Sequence, residues 1–289
     1  MMWLVYVFVA ALLGSIEKLY NRWCLGGATK EQTVNYFLAF NVSALLVSLL
    51  MFGPTLNNSD QIVIIRENIL LLIGAGALWV GASFLAFWAD RHIEANLSTI
   101  ISQSKIVASV VIGYLMGSSF PTKLQITGIV LIMFSLAPRL KEIKALETFS
   151  FMAKLLSIVM LVSAFAVDKL LMSKGVSKFV LLFSGYGIPI LAAILMQLVK
   201  GEVKSFLSNK EQRNFLWLGA ISGLLSVCFY LSILESLSHG DLARTMVLIT
   251  SMLFLSSMGA ALLLKESFSL KRHAISIILL LLGNILYYL

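Results

Sequence analysis

A lysine in the middle of an apolar stretch is the residue of this sequence that most directly suggests chemistry. It shares one helical face with three serines, spaced by four, three and four residues: Ser98, Ser102, Lys105 and Ser109. An unpaired ammonium inside hydrocarbon costs at least ~2.5 kcal/mol, so Lys105 is not expected to face lipid. We predict that Lys105 binds an acidic group of a substrate and that the serines supply hydrogen bonds. The alternative is a buried ion pair with one of three acids: Glu17, Asp168 or Glu235.

Two acidic residues near the ends of apolar stretches are each followed by lysine and leucine. They lie in the matching segments Glu17-Lys18-Leu19 and Asp168-Lys169-Leu170. Carboxyl groups inside membranes often mark ion or proton pathways, so these acids and their lysines could act as gates or take up a coupling proton. They could also be charges at the membrane interface. Glu235 is a third gating candidate, but Glu235 and Asp90 lie later on their stretches, which favours an interfacial position.

The composition explains why such charges are conspicuous. Hydrophobic residues make up 59% of the 289 residues and charged residues 12%, against about 45–50% and about 25% in soluble domains. A helix needs ~20 mainly apolar residues to cross a bilayer. The sequence predicts ten such helices: Trp3–Tyr20, Thr33–Phe52, Ile69–Ala89, Leu97–Met116, Leu124–Ala137, Phe151–Met172, Phe179–Val199, Phe215–Leu234, Leu242–Leu264 and Ala274–Leu289. The predicted fold class is therefore an all-α membrane protein.

The distribution of basic residues indicates the orientation of the chain in the membrane. The formal net charge of +8 would suggest nucleic-acid binding in a soluble protein, but lysine and arginine here cluster in the connections after the odd-numbered stretches. The positive-inside rule places those connections in the cytoplasm and both termini outside. We expect a multi-pass protein of the plasma (inner) membrane. Its expected partner is the lipid bilayer, and we expect no binding of nucleic acid.

The two halves of the chain repeat each other. Gly74-Ala75, Phe84 and Asp90 correspond to Gly219-Ala220, Phe229 and Glu235 at a constant offset of 145 residues. This order of matches predicts a duplicated five-helix unit, with residues 1–145 as the first copy and residues 146–289 as the second. A unit with an odd number of spans inserts its second copy upside down. Transporters with such inverted repeats bind their substrate near the membrane midplane.

The repeat also nominates residues in the second half. Arg244 and Ser251 correspond to Ser98 and Lys105, so the ninth stretch could complete a cation-lined route for the substrate. Arg244 could instead snorkel to the interface or pair with Asp241.

Other residues inside the apolar stretches could serve either recognition or packing. Trp79 in the third stretch could stack on a planar or apolar part of the substrate, or could belong to the core. Gly219 and Gly223, four residues apart, form a small-xxx-small pattern that lets one helix approach another closely.

The sequence resembles a known group of transporters at three places. These are residues 89–95 before a Ser/Thr-rich fourth stretch, Gly128 in the fifth, and Leu264-Lys265-Glu266 before the last. On these motifs it resembles the drug/metabolite transporter superfamily, specifically ten-helix proteins with paired EamA-type repeats. The resemblance implies that each half is an EamA-like five-helix repeat and that the cargo is a small metabolite.

The expected function is secondary active transport of a small metabolite, which could carry an acidic group, by alternating access. The cargo would move with a coupling proton or against a counter-solute. The sequence lacks a metalloprotease helix motif, a phosphate-binding loop and a nucleophile elbow, so we expect neither an enzyme nor a cofactor. A lipid scramblase, a membrane-embedded enzyme and a non-transporting partner subunit stay open as alternatives.

Overall fold

The computed structural model describes residues 2–52, 59–117, 120–135, 147–200, 210–252, 256, 259, 262–263 and 270–288. The regular elements of the described part are all α-helices. Those of the first half are α1 (Met2–Leu25), α2 (Lys30–Phe52), α3 (Ser59–Glu67), α4 (Ile69–His92), α5 (Ala95–Ser102), α6 (Ser104–Leu115) and α7 (Lys123–Phe134). Those of the second half are α8 (Thr148–Ser173), α9 (Lys178–Lys200), α10 (Lys210–His239), α11 (Leu242–Met252) and α12 (Leu270–Tyr288).

Seven helical stretches of the described chain are long and apolar enough to cross a membrane. They are Trp3–Leu25, Glu31–Leu50, Ile69–His92, Leu97–Leu115, Thr148–Ser173, Lys178–Leu195 and Asn214–His239. Each overlaps one predicted span, so the all-helical class is confirmed, and the seven stretches indicate an integral membrane protein. Two further predicted spans correspond to the shorter apolar helices Lys123–Phe134 and Ala274–Tyr288. The ninth begins with α11, but most of its later residues lie outside the described part.

The fourth span is interrupted once, next to the central lysine. Gln103 separates α5 from α6, although its backbone angles of φ −64° and ψ −21° stay close to helical values. Ile106 N–H donates to the Gln103 carbonyl at 3.0 Å, an i to i+3 bond that tightens the turn. The Gln103 side chain is held by the residue that follows α7, because Ser135 Oγ donates to its Oε1 at 2.5 Å. The interruption lies immediately before the turn that carries Lys105.

Helices of the two halves pack against one another throughout. The principal pairs are α2 with α10, α4 with α8, α1 with α10, α7 with α12, α2 with α9, α4 with α9 and α6 with α11. Gly219 and Gly223 lie against the backbone of α2, where a Cβ would collide with the carbonyls of Tyr36 and Phe40. The small-xxx-small prediction is thereby confirmed, since only residues without a bulky side chain permit this approach.

An aromatic cluster holds α2 and α4 together beside the centre of the molecule. The ring of Phe87 on α4 meets the rings of Tyr36, Phe37 and Phe40 on α2 edge-on, with centroids 5.2 to 5.9 Å apart. Edge-to-face contacts of this kind add stabilisation beyond the area they bury. Phe40 and Phe87 also line the central cavity, so the cluster fixes one of its walls.

Candidate functional site

A cavity of about 160 Å³ lies between the two halves of the chain. A cavity of roughly 10–15 Å³ by the same kind of measure holds one water, so this one has room for a small organic molecule. Its wall includes residues of α1, α2, α4, α5 and α6 from the first half and of α8 to α11 from the second. Five charged side chains line it: Glu17, Lys18, Asp90, Lys105 and Lys154.

Lys105 is the cation without a close partner in this group. Its side chain is partly exposed and lines the cavity. Within the described residues Lys105 makes no hydrogen bond and no ion pair, and its electrostatic neighbours are Lys154, Asp90 and Glu17. The alternative of a close ion pair with Glu17, Asp168 or Glu235 is therefore not formed in this conformation.

Asp90 and Lys154 form a buried ion pair across the two halves. Lys154 Nζ lies 2.8 Å from Asp90 Oδ1, and the two side chains are only 11% and 7% exposed. Ser98 Oγ donates to the same carboxylate oxygen at 2.9 Å. Asp90, which the sequence placed at the membrane interface, is thus buried, and the pair ties α4 and α5 to α8. Lys154 was not among the predicted site residues, although a lysine within an apolar span could have indicated that its side chain is buried and paired.

The predicted serine face divides in the structure. Ser102 lines the cavity, accepts a hydrogen bond from Lys18 Nζ at 3.2 Å and donates to the Ser98 carbonyl. Ser109 is buried and donates to the Ile106 carbonyl instead. Ser102 and Lys105 therefore face the cavity, whereas Ser98 serves the ion pair and Ser109 serves its own helix.

Glu17 faces the cavity within a polar network from the second half. Ser226 and Asn21 lie within hydrogen-bonding reach of its carboxyl group. Ser226 also accepts from Tyr186 Oη at 3.1 Å. Asn21 Oδ1 accepts from Ser222 Oγ at 2.6 Å as well, which links α1 to α10. Neither Ser226 nor Tyr186 was predicted as a site residue, because their proximity to Glu17 arises only from helix packing.

Asp168 is buried behind the cavity wall, with 1% of its surface exposed. Its Oδ2 accepts from Tyr230 Oη at 2.6 Å and from Trp79 Nε1 at 3.2 Å. The Trp79 ring packs against Tyr230 with centroids 4.6 Å apart, and both rings line the cavity. Lys169 turns away and donates to the Gly240 carbonyl at 2.8 Å. Trp79 thus both borders the cavity and bonds a buried acid.

Arg244 and Glu235 lie away from the cavity. Arg244 is exposed and borders a second cavity of about 260 Å³ near α7 and α12. Asp241 Oδ2 accepts from the backbone N–H of Ala243 at the start of α11. Glu235 pairs with Lys178 at 2.7 Å, with both side chains partly exposed. The side chain of Ser251 and the segment 264–269 lie outside the described residues.

Comparison with known proteins identifies the fold only. No family model and no curated protein matches the sequence. Twenty-eight chains of solved structures match. One of them, a crystal structure, has a TM-score of 0.67 at 14% sequence identity and covers 98% of this chain and 94% of that chain. This likeness extends over nearly the whole molecule, so the chain shares its helical architecture with a solved structure.

Proposed function

We propose that this chain is a secondary active transporter that carries a small metabolite with an acidic group across the plasma membrane. The observation that carries the proposal is a central cavity, built from both halves, into which Lys105 presents a cation without a close partner. A charged side chain within a membrane span is costly and is usually paired. An acidic substrate would supply the missing partner of Lys105.

The charges of the cavity wall favour an anion. Lys18, Lys105 and Lys154 face two carboxylates, Glu17 and Asp90. Asp90 is already paired with Lys154, and Glu17 is the other acid of the wall. With both acids ionised the wall carries an excess of one positive charge, which a monoanion would balance. The aromatic side, with Trp79 and Tyr230, would contact an apolar part of the same molecule.

The packing of the helices supports two inverted five-helix repeats, residues 1–145 and 146–289. The exchange of α1 with α8, α2 with α9, α4 with α10 and α7 with α12 relates the two proposed repeats. Under this exchange, the contact of α1 with α10 becomes that of α8 with α4. The contact of α2 with α10 likewise becomes that of α9 with α4, and the pairs α2 with α9 and α7 with α12 map onto themselves. We infer ten spans of the EamA type within the drug/metabolite transporter superfamily.

Such symmetry provides a physical basis for alternating access. Two antiparallel copies can open toward either side with similar packing energies, and the substrate then stays near the axis that relates them. The interruption of the fourth span at Gln103 lies between Ser102 and Lys105, two residues that line the cavity. The driving force would be a proton or a counter-solute gradient.

A ligand-stability screen tests the proposal. The purified protein is mixed with panels of anionic, zwitterionic and cationic metabolites, and the unfolding temperature is recorded for wild type, Lys105→Gln and Lys123→Gln. Lys123 is an exposed lysine at the start of α7 and serves as the matched control. A ligand at 100 times its Kd stabilises by about 2.7 kcal/mol. Loss of a hydrogen bond to a charged group, about 1.5–3 kcal/mol, should remove most of that in Lys105→Gln only.

Counterflow in liposomes then separates a carrier from the alternatives. An acid that stabilises the protein should exchange across the membrane when it is present on both sides. A scramblase, an enzyme or a partner subunit would give no such exchange. Stabilisation only by neutral or cationic compounds, unchanged in Lys105→Gln, would refute the assignment of Lys105 to the substrate.

A further inference from the structure

The carboxyl group of Asp168 is bonded on one oxygen only. Tyr230 and Trp79 both donate to Oδ2. Oδ1 is buried and has no hydrogen-bond partner within the described residues. Both donors are uncharged side chains, so neither neutralises a carboxylate.

No cation of the described chain compensates Asp168. Among the charged and titratable groups on α8 and the helices near it, four are bonded to other groups: Lys154 to Asp90, Glu235 to Lys178, Lys169 to the Gly240 carbonyl and Tyr186 to Ser226. Lys105 and Glu17 line the cavity, and the groups toward helix ends are Arg91, His92, His239 and Arg244. Tyr230, which bonds Asp168 itself, is neutral. Lys154 precedes Asp168 by 14 residues on α8, which is about 21 Å along a helix. An ionised Asp168 would be an isolated buried charge.

The neutral acid fits this site better than the carboxylate. Burying an unpaired charge costs far more than leaving one hydroxyl without an acceptor. Because Oδ2 already receives two hydrogen bonds, a proton on Oδ1 leaves both of them intact. A Ca²⁺ or Mg²⁺ ion fits poorly, since these ions take about six or more oxygen ligands. In the described chain no cluster of three His, Cys, Asp or Glu side chains could hold a metal.

We propose that Asp168 is a proton-binding site of this protein, occupied in the present conformation and closed off from the cavity by Trp79 and Tyr230. This inference rests on the proposed transport function and assigns the coupling ion and its residue. Trp79 and Tyr230 face the cavity and bond the acid at the same time, so a substrate that moves either ring would alter the hydrogen bonds of Asp168. If the substrate binds with different free energies to the forms with protonated and with ionised Asp168, binding of the proton and binding of the substrate are coupled.

Infrared spectroscopy of the purified full-length protein at neutral pH tests the site without any substrate. A protonated carboxyl group has a carbonyl stretch separate from the amide bands. That band is expected in wild type, lost in Asp168→Asn and retained in Glu67→Gln, whose acid is exposed at the end of α3. Tyr230→Phe removes one donor to the carbonyl oxygen and should shift the band to higher frequency.

A second measurement covers the case in which Asp168→Asn does not fold. Wild type labelled with carbon-13 at the aspartate side-chain carboxyl should show the band displaced, and Tyr230→Phe then identifies Asp168 among the four aspartates. A spectrum with no such band, or a band insensitive to both Asp168→Asn and Tyr230→Phe, would overturn the proposal. Failure of the transport function would appear instead as absent counterflow with the band present, so the two failures are distinguishable.

Discussion

Replacement of Lys154 by methionine would remove the cation from the buried ion pair and leave the volume of the side chain nearly unchanged. Asp90 would keep the hydrogen bond from Ser98, at 2.9 Å, and the electrostatic attraction of Lys18 and Lys105, inside a site where its side chain is 11% exposed. Breaking a buried pair by removing one partner costs about 3–5 kcal/mol, because the other charge stays buried without compensation. At about 2 °C for each kcal/mol in a chain of this size, the unfolding temperature should fall by about 6–10 °C.

A double-mutant cycle measures the interaction itself. Thermal unfolding in detergent is recorded for wild type, Lys154→Met, Asp90→Asn and the double variant. Replacing both members of a buried pair by neutral residues is often nearly neutral. We therefore expect the free energy of unfolding of the double variant to lie within about 2 kcal/mol of the wild-type value. Its loss of stability should be much smaller than the sum of the losses of the two single variants.

A second ion pair among the described residues provides the matched control. Lys178 and Glu235 are as close, at 2.7 Å, but their side chains are 26% and 32% exposed. Exposed pairs contribute about 0–1 kcal/mol, so Glu235→Gln should lower the unfolding temperature only slightly. An unfolding temperature of Lys154→Met equal to that of Glu235→Gln would contradict the expected cost of breaking the buried pair. So would a double variant that is as unstable as the less stable of the two single variants.

Three further substitutions test the packing and the helix ends, each by thermal unfolding. Gly223→Leu should cost at least about 1–3 kcal/mol because its side chain meets the α2 backbone, whereas Gly74→Leu, with no atom within 4 Å of its Cβ, should cost less than half as much. Gly128→Val should likewise destabilise, since a Cβ there collides with the Gly283 carbonyl of α12; an unchanged unfolding temperature would contradict this contact. Thr122→Ala removes the capping box of α7 and should cost about 1 kcal/mol, and no loss would show that the cap is unimportant.

The helices themselves were predictable because their signal is local. An uninterrupted run of about 20 apolar residues can satisfy its backbone only as a helix when it lies in a membrane. Lys105 was equally visible, since a lysine in such a run needs a reason. The matching segments around Glu17 and Asp168 could also be read directly, because the predicted repeat rests on residue order alone.

The partners of these residues were not predictable, because they come from distant parts of the chain. Asp90 meets Lys154 across 64 residues and Asp168 meets Tyr230 across 62. Lysine and tyrosine in apolar helices have many possible neighbours, and the rotation of each helix about its axis decides which is met. The predicted repeat did not help, since Glu17 faces the cavity whereas Asp168, its counterpart in that prediction, lies behind the cavity wall.

The sequence by itself determined that this chain is helical and apolar, and that it places a few charges where hydrocarbon would penalise them. Composition and periodicity are sufficient for this, because the bilayer constrains each helix separately. Only the tertiary structure decided which charges pair and which face open space. Asp90 and Lys154 neutralise each other within 2.8 Å, while Lys105 stays without such a partner in the described chain. That division depends on differences of a few ångströms between packed helices, over which electrostatic interactions change steeply.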